Sequence, residues 1–447
     1  MAIQRRSLVK NAIWVIGGFG VSQILRLVSG VILARLLAPE VFGIMVIVYS
    51  IRTGIDLLSD IGVGQSVVAN RDADRPEFYN TAWSLRFLRG FVLFALCAVV
   101  AAPLAKFYQA PVLGSVVPVV GAYFAIIGMG SLAPMFLQKR LRSATLSMFE
   151  LSVEFITSAF QIIFAWFNPT IWVFVLGGMI NVMARAIGSY IVVPDIRHRF
   201  SISGSVARQI FSFGFWIFLS SLIYFLSANF DRLYLGRVIP FGILGIYGIA
   251  RSLAEIANTL ASRLNFIIIF PFIASQAETS RRELRFRIRS SRAMFLLIAA
   301  VSLAAIALVS DLLINILYDR RYHEAGGMLS ALTIGVWFSI VCTINESTLL
   351  GLGKPHYAAI ANGLKLVWLV AGIATAVPTF GIVGVVIVVL LSDAWRYIPI
   401  FIGQRREHLS FGSQDVIITM AFLALIVVGE WARWFLGFGT SFSGLWG

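Results

Sequence analysis

The stretch Leu33-Ala-Arg-Leu-Leu-Ala-Pro-Glu-Val-Phe-Gly43 joins two long apolar runs. A similar stretch returns as Leu235-Gly-Arg-Val-Ile-Pro-Phe-Gly-Ile-Leu-Gly245. The two align without gaps, and Leu33/Leu235, Arg35/Arg237 and Gly43/Gly245 are identical. Each copy links the first and second apolar runs of what reads as a half of the chain. Self-similarity over such a distance is the signature of a repeated architectural unit.

Working outward from these connectors, thirteen helical spans are expected. They lie near 12–34, 41–67, 84–106, 113–137, 147–167, 170–193, 210–235, 242–272, 293–317, 327–350, 358–378, 380–402 and 415–437. Each is about 20 apolar residues or more, enough to cross the hydrocarbon core of a bilayer. The composition agrees, with 59% hydrophobic and 13% charged residues in 447. Soluble domains run at about 45–50% and about 25%. A soluble enzyme, a disordered chain and a fibre are therefore excluded. The runs do not alternate polar and apolar residues, so helices are expected rather than a barrel. The fold class is thus an all-α polytopic membrane protein. The expected organisation is an N-terminal six-helix lobe over 1–195, a C-terminal six-helix lobe over 196–403, and a segment 404–447 holding a thirteenth helix. Six helices per half is an even number, so the halves run parallel, as in transporters that rock about an axis along the membrane normal.

Connections are short, and several carry proline: Pro39, Pro111, Pro169, Pro240 and Pro378. No cytosolic catalytic domain interrupts the series. Arg5, Arg6 and Lys10 precede the apolar stretch from Ala12 to Leu33, which imitates a signal peptide. That stretch is too long and lacks a small-residue cleavage site, so it reads as a retained first helix.

The net charge is +15. Nucleic acid is not the implied partner; basic loops facing the cytoplasm and its anionic headgroups are. With the N-terminus cytoplasmic, 22 of the 36 Lys and Arg fall in inside loops and only six outside. The largest inside loop, Ser280-Arg-Arg-Glu-Leu-Arg-Phe-Arg-Ile-Arg-Ser290, suits a helix lying on the inner leaflet. Cys97 and Cys342 sit inside apolar runs, and His198, His323, His356 and His408 show no ligand spacing, so no metal is expected.

Charges inside the spans are the informative residues, because a charge at mid-bilayer costs about 2.5–3.5 kcal/mol on insertion scales. On span two, Arg52 and Asp56 are four apart on one face, with Asp60 a turn further. On span eight, Arg251 and Glu255 repeat the spacing, followed by Asn258 and Ser262. Span one adds Arg26 between Ser22 and Ser29, and span five a stripe of Ser147, Glu150, Glu154, Ser158 and Gln161. Lys365, Asp393 and Arg396 follow on spans eleven and twelve. Glu150, Asp393 and Arg396 read as structural ion pairs. Arg26, Arg52 and Arg251 read as functional, since arginine is a permanent charge and a bidentate phosphate ligand. The cavity acids Asp56, Asp60, Glu255 and Glu154 would close such an anion site when it is unfilled, or take a coupling Na⁺ or H⁺. No other cofactor is expected. Two motifs that mimic enzymes fail. Asp72-Ala-Asp74 lacks a nucleotide-binding domain, and Gly351-Leu-Gly-Lys354 lacks the upstream glycine of a phosphate loop.

The stretch from Leu33 to Ile51 is similar to the opening segment of Wzx-type polysaccharide repeat-unit flippases, of the multidrug/oligosaccharidyl-lipid/polysaccharide flippase superfamily. Asn229-Phe-Asp-Arg-Leu-Tyr-Leu-Gly236 with Leu244-Gly-Ile-Tyr-Gly-Ile-Ala-Arg251 resembles that family's second-lobe opening. Gln138-Lys-Arg-Leu-Arg142, Tyr322-His-Glu-Ala-Gly-Gly-Met-Leu329 and Leu350-Gly-Leu-Gly-Lys354 resemble further family segments. The resemblance covers about 8–402 and implies two six-helix lobes around a cavity open to either face in turn. It implies an inner-membrane protein moving undecaprenyl-diphosphate-linked oligosaccharide outward, with polysaccharide assembly proteins as further partners. Related peptidoglycan-precursor flippases use cavity arginines on helices one, two and eight, which here carry Arg26, Arg52 and Arg251. The thirteenth span departs from the twelve-helix pattern. Two rivals are weighed. A multidrug/cation antiporter of the same superfamily would want an acidic cavity. A membrane-embedded polysaccharide polymerase or ligase would want a large external loop, and the longest here, about 319–327, is short.

Overall fold

The computed structural model describes residues 2–140, 142–193, 196, 198–265, 269, 273 and 280–445, with side chains outside 2–13, 15–16, 69, 71, 211–220 and 445. Arg5, Arg6, Lys10, Arg71, Arg197 and most of the last turns of the expected 242–272 span lie outside that description.

The first eight helices are α1 (Ala2–Leu36), α2 (Pro39–Leu58), α3 (Val63–Ala69), α4 (Pro76–Phe107), α5 (Leu113–Met129), α6 (Ala133–Lys139), α7 (Ser143–Phe167) and α8 (Trp172–Val192). They are followed by α9 (Gly204–Val238), α10 (Phe241–Leu264), α11 (Arg281–Leu308), α12 (Ser310–Leu317), α13 (Ala325–Gly351), α14 (His356–Arg406) and α15 (Gly412–Phe435). Every expected apolar run, over its described residues, lies mostly within one or two of these. Among the described residues nine helices are long and apolar enough to cross a membrane, and the bent pair α5–α6 makes a tenth. α14 counts there once, yet its 51 residues would reach about 77 Å at 1.5 Å per residue, too far for one crossing. Gly381, at φ 58° and ψ −140°, breaks its helical backbone into two. That backbone is open to glycine and strained for any other residue. The expected boundary between spans eleven and twelve falls at this point.

Three expected single spans are interrupted. The 41–67 run stops at Leu58, because Asp60 turns back to accept from Gly62 N (2.9 Å) and Gly62 takes φ 74°. The 113–137 run bends by 59° between Met129 and Ala133. The 293–317 run breaks at Val309. The basic 280–290 stretch also differs from expectation. It is not a separate surface helix but the opening turns of α11, capped by Ser280. Its Leu284 and Ile288 are buried against Leu409 and Phe411, which fixes the segment to the protein, while Phe286 stays exposed.

The chain forms two compact units, Met1–Phe225 with Gly236–Phe241, and Leu226–Leu235 with Gly242–Gly447. In unit 1, α4 lies along α5, α1 along α7, and α8 against both α7 and α5. The α4–α5 seam is close because Gly90 faces the Phe124 carbonyl, where a Cβ would sit 2.4 Å from the oxygen. Gly43, in the first copy of the repeated stretch, abuts Phe241 so tightly that a Cβ would meet its carbonyl oxygen at 1.9 Å.

In unit 2 the axis is α13. It packs on α11, α12 and α14, and 83% of its spanning window is buried. α15, the expected thirteenth helix, is an integral part of this unit. It runs along α11, its Phe422 stacks on Trp337 of α13 (4.9 Å), and Trp337 Nε1 donates to Thr419 (3.1 Å). Beyond it, Ser441 returns to bond Ser330 of α13 (3.0 Å).

Candidate functional site

Unit 1 holds its in-span charges on facing helix walls. Arg26 of α1 reaches Glu154 of α7 through two parallel bonds, 2.8 and 2.9 Å. The Arg26 side chain is nevertheless 58% exposed. One turn nearer the start of α7, Glu150 receives Arg185 of α8 at 2.6 Å. Arg185 Nε also donates to Asn181 (2.9 Å), which in turn donates to Thr157 (3.0 Å). The α7–α8 hairpin turns at Asn168–Pro169, and this brings 157 opposite 181 and 150 opposite 185.

Arg52 of α2 behaves differently from the spacing argument. The expected Arg52–Asp56 pair is not formed. Asp56 instead accepts from Arg89 of α4 at 2.7 Å, and Arg89 also bonds Ser59. The reason is competition: Arg89 reaches the Asp56 carboxylate and backbone carbonyl at once, a chelate that an i,i+4 neighbour cannot match. Among the described residues Arg52 has no carboxylate partner, and its guanidinium lies 5.3 Å from the centre of the Tyr123 ring, a cation–π contact. Asp60 is not a free cavity acid, since its two oxygens take Gly62 N and Gln65.

Unit 2 carries the second expected pair, and here the spacing holds. Arg251 Nε lies 3.1 Å from Glu255 Oε1 on α10. Glu255 also receives Arg232 of α9 at 2.7 Å, and Arg251 stands 3.9 Å from Asp231, whose other neighbour is Tyr247. A second cluster joins Lys365 to Asp393 at 2.8 Å, Asp393 to Arg396 at 3.3 Å, and Arg396 to Glu346 of α13. The third is the most buried. Arg292 bonds Asp415, Gln414 and Asn345, with Tyr397 and Asn345 also donating to Asp415. Arg89, Arg185, Asn181, Arg232, Asp231 and Arg292 are the site-level residues the sequence reading did not single out.

Outside the spans, Asp74 is fixed by Lys139 (2.8 Å) and Arg140 (3.1 Å), which hold its carboxyl below the usual range. The Asp72-Ala-Asp74 motif is thus a structural clasp. His198 sits between α8 and α9, stacked on Trp83 at 5.5 Å, with its Nε2 accepting from Leu132 N. Burial, then the nearby Arg86, pushes its ring down to about 4. No cluster of three or more metal-ligating side chains occurs among the described residues.

Helices that cross a bilayer and charges neutralised at span depth define a polytopic α-helical membrane protein. Its fold is similar to that of a multidrug resistance MATE family transporter of the MOP superfamily, with a TM-score of 0.68 at 14% identity over 86% of this chain and 94% of that one. It is similar to the lipid II flippase MurJ in an inward closed conformation, with a TM-score of 0.74 at 12% identity over 94% of this chain and 92% of that one. Residues 32–326 match the profile of the polysaccharide biosynthesis protein family Polysacc_synt_3, and the chain belongs to that family. Among its relatives is the teichuronic acid biosynthesis protein TuaB of Bacillus subtilis, 25% identical over 76% of this chain and 69% of TuaB. Another is the lipopolysaccharide biosynthesis protein WzxC of Escherichia coli, 22% identical over 89% of this chain and 80% of WzxC.

Proposed function

We propose that the chain is a flippase of the bacterial inner membrane. It carries undecaprenyl-diphosphate-linked oligosaccharide repeat units from the inner to the outer leaflet by alternating access, for exopolysaccharide, O-antigen or capsule. Its N-terminus is cytoplasmic, its lobes are 1–195 and 196–403, and it catalyses no covalent step. Arg26, Arg52 and Arg251 bind the diphosphate, while the polyprenyl tail stays in lipid. The fold it has in common with a lipid II flippase and its polysaccharide-biosynthesis relatives support this cargo class.

The observation that carries the reading is Arg52, a guanidinium in a spanning helix with no carboxylate partner among the described residues. A permanent charge without a counter-charge in a membrane helix is a functional-site residue by default, and its chemistry selects a phosphate. The reverse holds for the acids. Asp56, Asp60, Glu154 and Glu255 are all already engaged, by Arg89, by Gly62 and Gln65, by Arg26, and by Arg232 with Arg251. That disfavours a cationic cargo and coupling through Na⁺ or H⁺ at these positions. An inside-negative potential then suffices to drive the anionic headgroup outward, at about 2.3 kcal/mol per charge per 100 mV.

The test is Arg52→Glu in cells that depend on the pathway. Surface polymer is expected to disappear at normal protein level, with lipid-linked repeat units accumulating on the inner leaflet. Undiminished polymer would remove Arg52 from the site, and normal polymer in a strain lacking the protein would remove the function.

A further inference from the structure

Within unit 1, α4, α5, α6, α7 and α8 enclose a cavity of about 240 Å³, whose lining includes neither Arg26 nor Arg52. It lies beside the bend between α5 and α6, and its polar walls are Arg86, Ser131, Glu150, Arg185 and Ser189. Two of these are committed elsewhere only in part. Glu150 and Arg185 hold each other across one wall. Ser189 accepts from Ser131 N at 2.8 Å, which pins the backbone of the bend.

Arg86 is the exception. α4 begins at Pro76, so Arg86 stands ten residues inside a helix, about 15 Å from its start. It is half-buried, and it makes no hydrogen bond or ion pair among the described residues. Asp56, whose charge bears on Arg86, is taken by Arg89. The Arg86 guanidinium, with N–H donors in a fixed fork, therefore lines the cavity without an acceptor from the protein among the described residues. The walls sum to one net positive charge: two guanidinium groups against one carboxylate.

We propose that this cavity is a second anion site, which takes a phosphate group held by Arg86 in bidentate fashion. Arg185 supplies the opposing positive wall, and Ser131 and Ser189 shape the floor. The single net charge suits one phosphate and not a cation. The phosphate comes from a membrane phospholipid or from a polyprenyl diphosphate, and the chemistry of recognition is the same for both. Arg52 is not in the lining of this cavity, so the outcome at this site is separate from that of the flippase reading.

The experiment is native mass spectrometry of the full chain in detergent, titrated with phosphatidylglycerol, farnesyl diphosphate or inorganic phosphate, with diacylglycerol as the phosphate-free control. Arg86→Gln should weaken at least one phosphate-bearing probe about tenfold and leave diacylglycerol unchanged. Ala186→Phe, which fills the cavity without touching a charge, should do the same, and keeps the test alive if Arg86→Gln does not fold. Loss confined to phosphatidylglycerol identifies a bilayer lipid. Loss confined to farnesyl diphosphate identifies a headgroup of the cargo type. Loss of inorganic phosphate as well identifies a site for the free anion. Equal affinities of the native chain and both variants for all three probes overturn the proposal.

Discussion

Two charge clusters, one in each unit, are built in opposite ways. In unit 2 the Arg292 cluster is sealed: the Arg292 and Asp415 side chains are 1% and 4% exposed, and each has several further partners. In unit 1 the cluster around Arg89 is open: Asp56 is 61% exposed despite its bond to Arg89, and Arg52 and Arg86 have no carboxylate partner among the described residues. A sealed, fully bonded ion pair specifies a packing arrangement, and it is costly to break because it leaves a lone charge behind. An open guanidinium contributes little to stability and is free to hold something else. The contrast makes the Arg292 cluster a scaffold for its helices and leaves Arg52 and Arg86 without a carboxylate partner among the described residues.

Four measurements break or sharpen that contrast. The largest effect is expected for Asp415→Ala, which strands Arg292 and should destabilise by about 3–5 kcal/mol, enough to lower accumulation in the membrane. The double change Arg292→Met with Asp415→Leu should recover much of it, read by thermal melting in detergent. If Asp415→Ala melts like the native chain, the sealed network is not a scaffold.

Next comes His198. Its folded-state ring sits at about 4, below the ordinary 6.5. The neutral ring is the native form, so stability is full above 6.5 and is lost as pH falls toward 4. The loss should be about 1–2 kcal/mol after allowing for solvent screening of a half-exposed ring. His198→Gln should flatten that slope in melts between pH 7 and 4.5, and an unchanged slope would place the acid sensitivity elsewhere.

For Arg26→Gln the stability change should be under about 1 kcal/mol, while surface polymer falls steeply. The swap Arg26→Glu with Glu154→Arg sharpens this. Full recovery of polymer would make the pair structural and move unit 1 toward unit 2. The smallest effect is expected for Asp74→Asn, within about 0.5 kcal/mol by melting, and added divalent metal should not change the native chain's melt.

Much of the fold was legible because a spanning helix announces itself locally, by about 20 apolar residues and the punctuation around them. Pro378 marked a break that the backbone makes three residues on, at Gly381. The interruptions at 59–62 and 130–132 were less legible. An apolar run reads the same whether it is straight or bent, and the Asp60–Gly62 turn lies inside one. The charge pairs divided by where their partners sit in the chain. Arg251–Glu255 is local, and its spacing sufficed. Arg52–Asp56 had the same spacing but lost to Arg89, 33 residues away on another helix. Hairpin arithmetic was the unused signal. Folding the chain at Pro169 brings Arg185 level with Glu150, and folding it at the 378–381 break brings Lys365 level with Asp393. Nothing in one sequence could show that Arg86 would face a cavity, since that depends on four other helices.

The burial of α13 has a consequence for how the protein is made. Among the described residues, its Asn345 and Glu346 find their partners in Arg396, Gln404 and Asp415, all later in the chain, and in Arg292, which precedes them. The 70 residues from Asn345 to Asp415 take about 4–14 s to synthesise at roughly 5–20 residues per second. During that interval Asn345 has Arg292 for a partner, but Asp415 and, for Glu346, Arg396 are still to come. A chain stopped before α15 leaves the membrane-insertion machinery with a half-dressed helix, the kind of surface that quality-control proteases recognise.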